Sequence, residues 1–213
     1  MRLGNDAVEG SAAKTLSEAR RIADLLARNA SSLRAKFSLS HEHSARPQAA
    51  LPEEFRRQLA DVFGKYFEMR EALATDQADK ALVAAGGMQQ ALAVVSGDLL
   101  TGRNRQAWAE LSAGLSEILS GASRAKDIEA TRRAFALLSE QLLAVARQFG
   151  PGGRTELYEL KCPMAFNNRG AMWLQQDEKT RNPYFGAAML RCGSVVGVIP
   201  AQADGETGDR QHE

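Results

Sequence analysis

The sequence predicts a mainly α protein: an antiparallel up-down four-helix bundle, topped by an irregular Cys- and Met-containing C-terminal cap with room for two short strands. Three observations carry that expectation. Apolar residues recur every three or four positions through four successive stretches between residues 53 and 149. The links between those stretches are only a few residues long and contain Gly, so consecutive helices must turn back on one another. After Gly150-Pro151-Gly152-Gly153 the composition changes, and the last quarter of the chain holds both cysteines and three of the six methionines.

In chain order, residues 1–51 read as an N-terminal helix and a polar linker. Leu16, Ile22, Leu26 and Leu33 recur at roughly helical spacing between Ala12 and Phe37, and Ser38 to Pro47 has loop composition. Residues 52–200 read as the bundle domain with its cap. Phe55, Leu59, Val62, Tyr66, Met69 and Leu73 form the first seam. Asp76 is a candidate N-cap for the second helix, whose stripe Ala78, Leu82, Ala85, Gln89, Leu92 and Val95 is small enough for close approach and which Gly102 is expected to end. Trp108, Leu111, Leu115 and Ile118 form the third seam, closed at Gly121. Ile128, Phe135, Leu138, Leu142, Val145 and Phe149 form the fourth, stopped at Gly150. Leu59, Leu115, Phe135 and Leu142 sit mid-seam and are expected in the core. Leu157–Leu160 and Val195–Ile199 have strand composition, and pairing them would bring the regions of Cys162 and Cys192 together. Residues 201–213 read as a disordered tail.

The charge balance excludes some functions. A formal net charge of +1 gives no electrostatic reason to expect nucleic acid or an acidic membrane. No apolar run approaches the ~20 residues that span a bilayer. The N-terminus lacks the apolar stretch of a signal peptide, so the residues alone point to a cytosolic protein or to a fragment without its targeting segment. There is no P-loop, no G-x-G-x-x-G, no C-x-x-C-H and no G-x-S-x-G. With no catalytic residue set visible, the chain is not expected to be an enzyme.

The sulfur residues are the strongest chemical signal. Cu(I) and Ag(I) favour thiolate and thioether donors. Cys162 and Met164, at i,i+2 on extended backbone, point the same way. Asn182 and Pro183 have the chemistry of an N-cap and first helical position, and in the helix they would open Met189 and Cys192, at i,i+3, share a face. Met172 is a spare donor. No histidine stands among these residues, against an ordinary zinc site. Three readings stay open on spacing alone: a soft-metal site, a Cys162–Cys192 disulfide stapling the cap, or inert buried thiols with the methionines filling gaps; a redox-active thiol pair is less expected, since there is no Cys-x-x-Cys. His41 and His43, in the linker, are weaker metal candidates; Arg132-Arg133 reads as a solvated helix face. Trp173 and Tyr184 read as plugs that seat the cap on the bundle.

Four blocks in order, Cys162-Pro163-Met164-Ala165, Trp173-Leu174, Asn182-Pro183-Tyr184-Phe185-Gly186 and Met189-Leu190-x-Cys192-Gly193, carry a resemblance over roughly residues 53–200. They resemble a bacterial domain of unknown function. That domain is often appended to the C-terminus of periplasmic adaptor (membrane fusion) subunits of resistance-nodulation-division heavy-metal efflux pumps, and also occurs as a short stand-alone envelope protein. The resemblance implies a periplasmic setting, copper or silver handling, and an efflux-pump adaptor or transporter subunit as partner. It carries over Cys162, Met164, Met189 and Cys192 as metal ligands, but not His41 and His43, which fall outside it. The β-barrel, lipoyl-like and long hairpin regions of a full adaptor are not in this sequence, so docking through them is not implied.

Overall fold

The computed structural model describes residues 51–201. The chain divides into two units, Met1–Ala49 and Ala50–Glu213, and the described residues lie in the second. The helix and linker expected before residue 50, with His41 and His43, and the tail beyond Ala201 lie outside the described residues.

Four helices come first: α1 (Glu53–Ala74), α2 (Ala78–Val94), α3 (Gly102–Ala122) and α4 (Ile128–Phe149), with a 3-10 turn at Gly97–Leu99. The first seam packs as its spacing requires. Phe55, Leu59, Val62, Tyr66, Met69 and Leu73 are all fully buried, and Glu53 and Glu54 place negative charge at the positive end of α1. Leu115, Phe135 and Leu142 are fully buried as well. Asp127 caps α4, its carboxylate accepting the Ala130 N–H at 2.6 Å. Aromatic rings tie the helices together. Phe55 meets Trp108 edge-on at 5.2 Å and Phe149 at 5.5 Å, joining α1, α3 and α4, while Tyr66 stacks on Phe135 at 5.0 Å further along.

Three local expectations are corrected. The buried stripe of α2 is Ala81, Ala84, Ala85, Met88 and Leu92, with Gln89 exposed, because in so Ala-rich a helix the face is chosen by Met88 and the alanines that admit α1 closely. Asp76 does not cap α2; it takes a left-handed conformation at φ 59° and turns its carboxylate elsewhere. Gly102 opens α3 at φ 55° rather than ending α2, which stops at Val94.

The cap holds a three-stranded antiparallel sheet ordered β2-β1-β3, from β1 (Leu157–Cys162), β2 (Ala171–Gln175) and β3 (Ser194–Ile199). The β1–β3 pairing expected from composition is present, with Lys161 opposite Ser194. The central place of β1 requires β2 on its other edge, a strand absent from the sequence reading. The sheet is fastened to the helices by polar bonds as well as by packing. Buried Tyr66 accepts the Leu174 N–H at 3.0 Å and bonds Ser139 at 2.8 Å, and Arg147 of α4 grips Glu159 of β1 at 2.8 and 2.5 Å. Burial pushes the Tyr66 hydroxyl up to about 12, so it stays protonated.

Candidate metal centre

Cys162 ends the central strand and is fully buried, at the register position of Ala171 and on the same sheet face as Leu160. Cys192 is partly exposed and stands two residues before β3. The antiparallel β1–β3 pairing returns the chain so that the two sulfurs lie 3.4 Å apart, both as free thiols. Burial, and then the neighbouring Cys162, push the Cys192 thiol upward.

A clamp of polar bonds sets the position of Cys192. The side-chain amide of buried Asn182 donates to the Cys192 carbonyl at 2.8 Å and its oxygen accepts the Tyr184 N–H at 2.7 Å. The Asn182 N–H donates to the Leu190 carbonyl at 2.9 Å, and Thr180 donates to the Gly193 carbonyl at 3.3 Å. Gly193 sits at φ 117°, where a Cβ would come within 2.7 Å of Trp173, so a glycine is required beside the second cysteine. The expected helix from Asn182 is instead a turn followed by a 3-10 segment, Gly186–Met189. Gly186 breaks it: its φ of 57° is left-handed, and a Cβ there would overlap Asp76 and Arg132. The i,i+3 link survives as a turn, with the Cys192 N–H donating to the Met189 carbonyl at 3.0 Å.

That turn is seated on the helices by charged groups. Arg132 is 6% exposed, and the solvated-face reading fails for it, though it holds for exposed Arg133. Its guanidinium donates to the Pro183 carbonyl at 3.0 Å and to the Asp76 carboxylate at 2.6 Å. The other Asp76 oxygen accepts the Ala187 N–H at 2.9 Å, and that bond, then Arg132, holds the Asp76 carboxyl below its usual value. Arg181 grips Glu71 of α1 in a two-pronged pair, at 2.9 Å through its Nε. Tyr184 packs between Phe135 of α4, Trp173 and Phe166, and its hydroxyl donates to the Met172 carbonyl at 2.5 Å. Tyr184 thus seats the cap on α4, as expected, while Trp173 packs against Tyr184 within the cap.

The methionines differ in placement. Met164, two residues after Cys162, is 46% exposed, which rules it out as a core filler. The turn after it is unusual: Phe166, Asn167 and Asn168 take consecutive φ values of 53°, 58° and 63°, a left-handed turn costly for a bulky residue such as Phe. Met189 is partly buried at the end of the 3-10 segment. Met172 lies at the register position of Lys161, on the sheet face opposite Cys162, so it is poorly placed as a spare donor.

Sulfurs 3.4 Å apart suit some metal geometries better than others. With bonds of about 2.3 Å they subtend about 95° at a shared ion; a trigonal site needs them about 4.0 Å apart and a linear one about 4.6 Å. The smaller adjustment favours three or four ligands, which needs a donor besides the two thiols. Among the described residues no group of three or more His, Cys, Asp or Glu side chains could hold a metal, so that donor would have to be of another kind, and a thioether is chemically suited. The 810 Å³ cleft, lined by Phe63, Phe67, Val83 and Lys80 among others, includes none of the four sulfur residues. It is an open groove along α1 and α2.

These features define a mainly helical protein with a small antiparallel sheet and a paired-thiol cap. Among known families, the one described as a protein of unknown function (DUF3347) matches residues 62–153. The matched stretch spans the helices from Val62 and stops before β1, so both cysteines lie beyond it. No curated protein and no solved structure matches the chain.

Sequence reasoning missed Asn182 as the residue that fixes Cys192, and Asp76 and Arg132 as its support. The Asn-Pro-Tyr run was a usable signal, because an Asn side chain readily bonds the backbone two residues on. Nothing local marked Asp76 and Arg132, whose partners on the turn lie 51 and more residues away.

Proposed function

We propose that this protein is a non-catalytic module that binds a soft monovalent ion, Cu(I) or Ag(I), through Cys162 and Cys192, with Met189 or Met164 completing the coordination. The observation that carries the reading is the 3.4 Å approach of two free thiols on separate elements. The chemistry of the set favours such ions, which thiolate and thioether sulfur bind in preference to oxygen-seeking cations. The helices, joined by residues 75–77, 95–101 and 123–127, are read as an up-down bundle that serves as the scaffold. On the sequence resemblance the setting is periplasmic and the partner an adaptor or transporter subunit of a heavy-metal efflux system. Among the described residues no helix is long and apolar enough to cross a membrane, consistent with a chain that meets the metal outside the bilayer.

The test is an anaerobic titration of the reduced chain with Cu(I), read by intact mass and by competition with a chromophoric chelator. One ion per chain is expected, with affinity falling in acid as protons compete for sulfur. Equal Cu(I) affinity in the wild type and in Cys192→Ser would refute the reading. The second reading, a structural or interaction domain whose cap is stapled by a Cys162–Cys192 disulfide, draws on the same proximity. It predicts no free thiol under native, non-reducing conditions.

A further inference from the structure

We propose that Cys162 and Cys192 form an asymmetric thiol–disulfide exchange site for small disulfides, in which Cys192 is the sulfur that exchanges and Cys162 the sulfur that resolves, so that oxidation closes the metal site. Three observations carry this. Cys162 is fully buried at the end of the central strand, beyond reach of an external disulfide, whereas Cys192 is partly exposed. The two sulfurs are already 3.4 Å apart, close to contact, so once Cys192 carries a mixed disulfide the resolving sulfur stands beside it. The elements differ in freedom too. Cys162 is fixed by strand register to Ala171, while Cys192 lies on a turn held through its backbone by Asn182 and Met189.

The reaction balances without any other participant. The Cys192 sulfur attacks one sulfur of the small disulfide, whose S–S bond breaks and releases one thiol that takes up the Cys192 proton. The Cys162 sulfur then attacks the Cys192 sulfur and expels the second small thiol, which takes up the Cys162 proton. The protein pair loses two electrons and two protons, and the small disulfide is reduced to two thiols. A disulfide requires the sulfurs to close to about 2.05 Å, and it removes both thiolates a metal would use. That last consequence rests on the soft-metal reading above, whereas the exchange chemistry does not.

The probe is oxidised glutathione, added to the reduced full chain and followed by intact mass and peptide mapping. The wild type should lose two hydrogens with no lasting glutathione adduct. Cys162→Ser should accumulate one glutathione on Cys192, at least about ten-fold faster than Cys192→Ser acquires one on Cys162. Cys162→Ala, which buries no hydroxyl, repeats that arm in case the Ser variant folds poorly. Equal adduct rates in the two single variants, or a stable mixed disulfide on the wild type, would overturn the proposal. Cu(I) titration of the oxidised and reduced wild type then separates the two ideas. Binding by the reduced chain alone supports the gate, and equal binding by both overturns it. Binding by neither overturns the soft-metal reading and the gate with it, and leaves the exchange to be judged by mass.

Discussion

Asn182 uses both ends of its amide on the turn that carries Cys192, and it is fully buried while doing so. Removing it strands the Cys192 carbonyl and the Tyr184 N–H. Asn182→Ala should therefore lower stability by about 1–3 kcal/mol, read by urea unfolding, and should speed alkylation of Cys192 in the native state. The methionines separate chemistry from packing. Changing Met164 and Met189 together to Leu keeps volume and apolarity, so the stability change should stay below about 1.5 kcal/mol. Cu(I) affinity, measured by chelator competition, should nonetheless fall. At this scale the approach of the two cysteines was legible, because each stands near the end of a stretch of strand composition. Asn182 was read as a helix N-cap and not as the anchor of Cys192, since that bond closes a loop whose path no local pattern encodes.

At the scale of elements, the turn from Asn182 to Leu190 is held against the ends of α1 and α4 by Asp76, Arg132, Arg181 and Glu71. The Asp76 carboxyl is held low by the Ala187 N–H and by Arg132. Burial pushes the Glu71 carboxyl up, but the Arg181 bond and charges outweigh it and the net shift is down. A carboxyl lowered in the folded state contributes stability above its unfolded value, near 4, and that contribution is lost as pH falls through the lower folded value. The turn should loosen in acid below about pH 4. Trp173, packed against Tyr184 and beside Gly193, reports it by fluorescence in a Trp108→Phe background, and Asp76→Asn should flatten the acid transition. The helices were legible because apolar spacing of three and four has one physical meaning. The face of α2 was not, since alanine marks neither inside nor outside. The turn at Gly186 and the strand β2 depended on long-range partners: the left-handed glycine fits against Asp76 and Arg132, and β2 forms because β1 has a free edge to fill.

Across the described residues, the helical scaffold and the sheet share one packed interior, with Tyr66 and Phe135 of the helices reaching Leu174 and Tyr184 of the cap. Leu142 is fully buried mid-seam, and Leu142→Ala should cost about 2–5 kcal/mol in a thermal or urea melt. Because the cap rests on those helices, the same variant should also raise the alkylation rate of Cys192. The central claim is that two thiols and a thioether converge on one soft ion. It is tested most directly by X-ray absorption at the copper edge on the reduced chain loaded anaerobically with one Cu(I). The account predicts a shell of three sulfurs at about 2.3 Å, reduced to two in the Met164→Leu, Met189→Leu double variant. A first shell dominated by nitrogen or oxygen, or an unchanged sulfur count in the double variant, would contradict it.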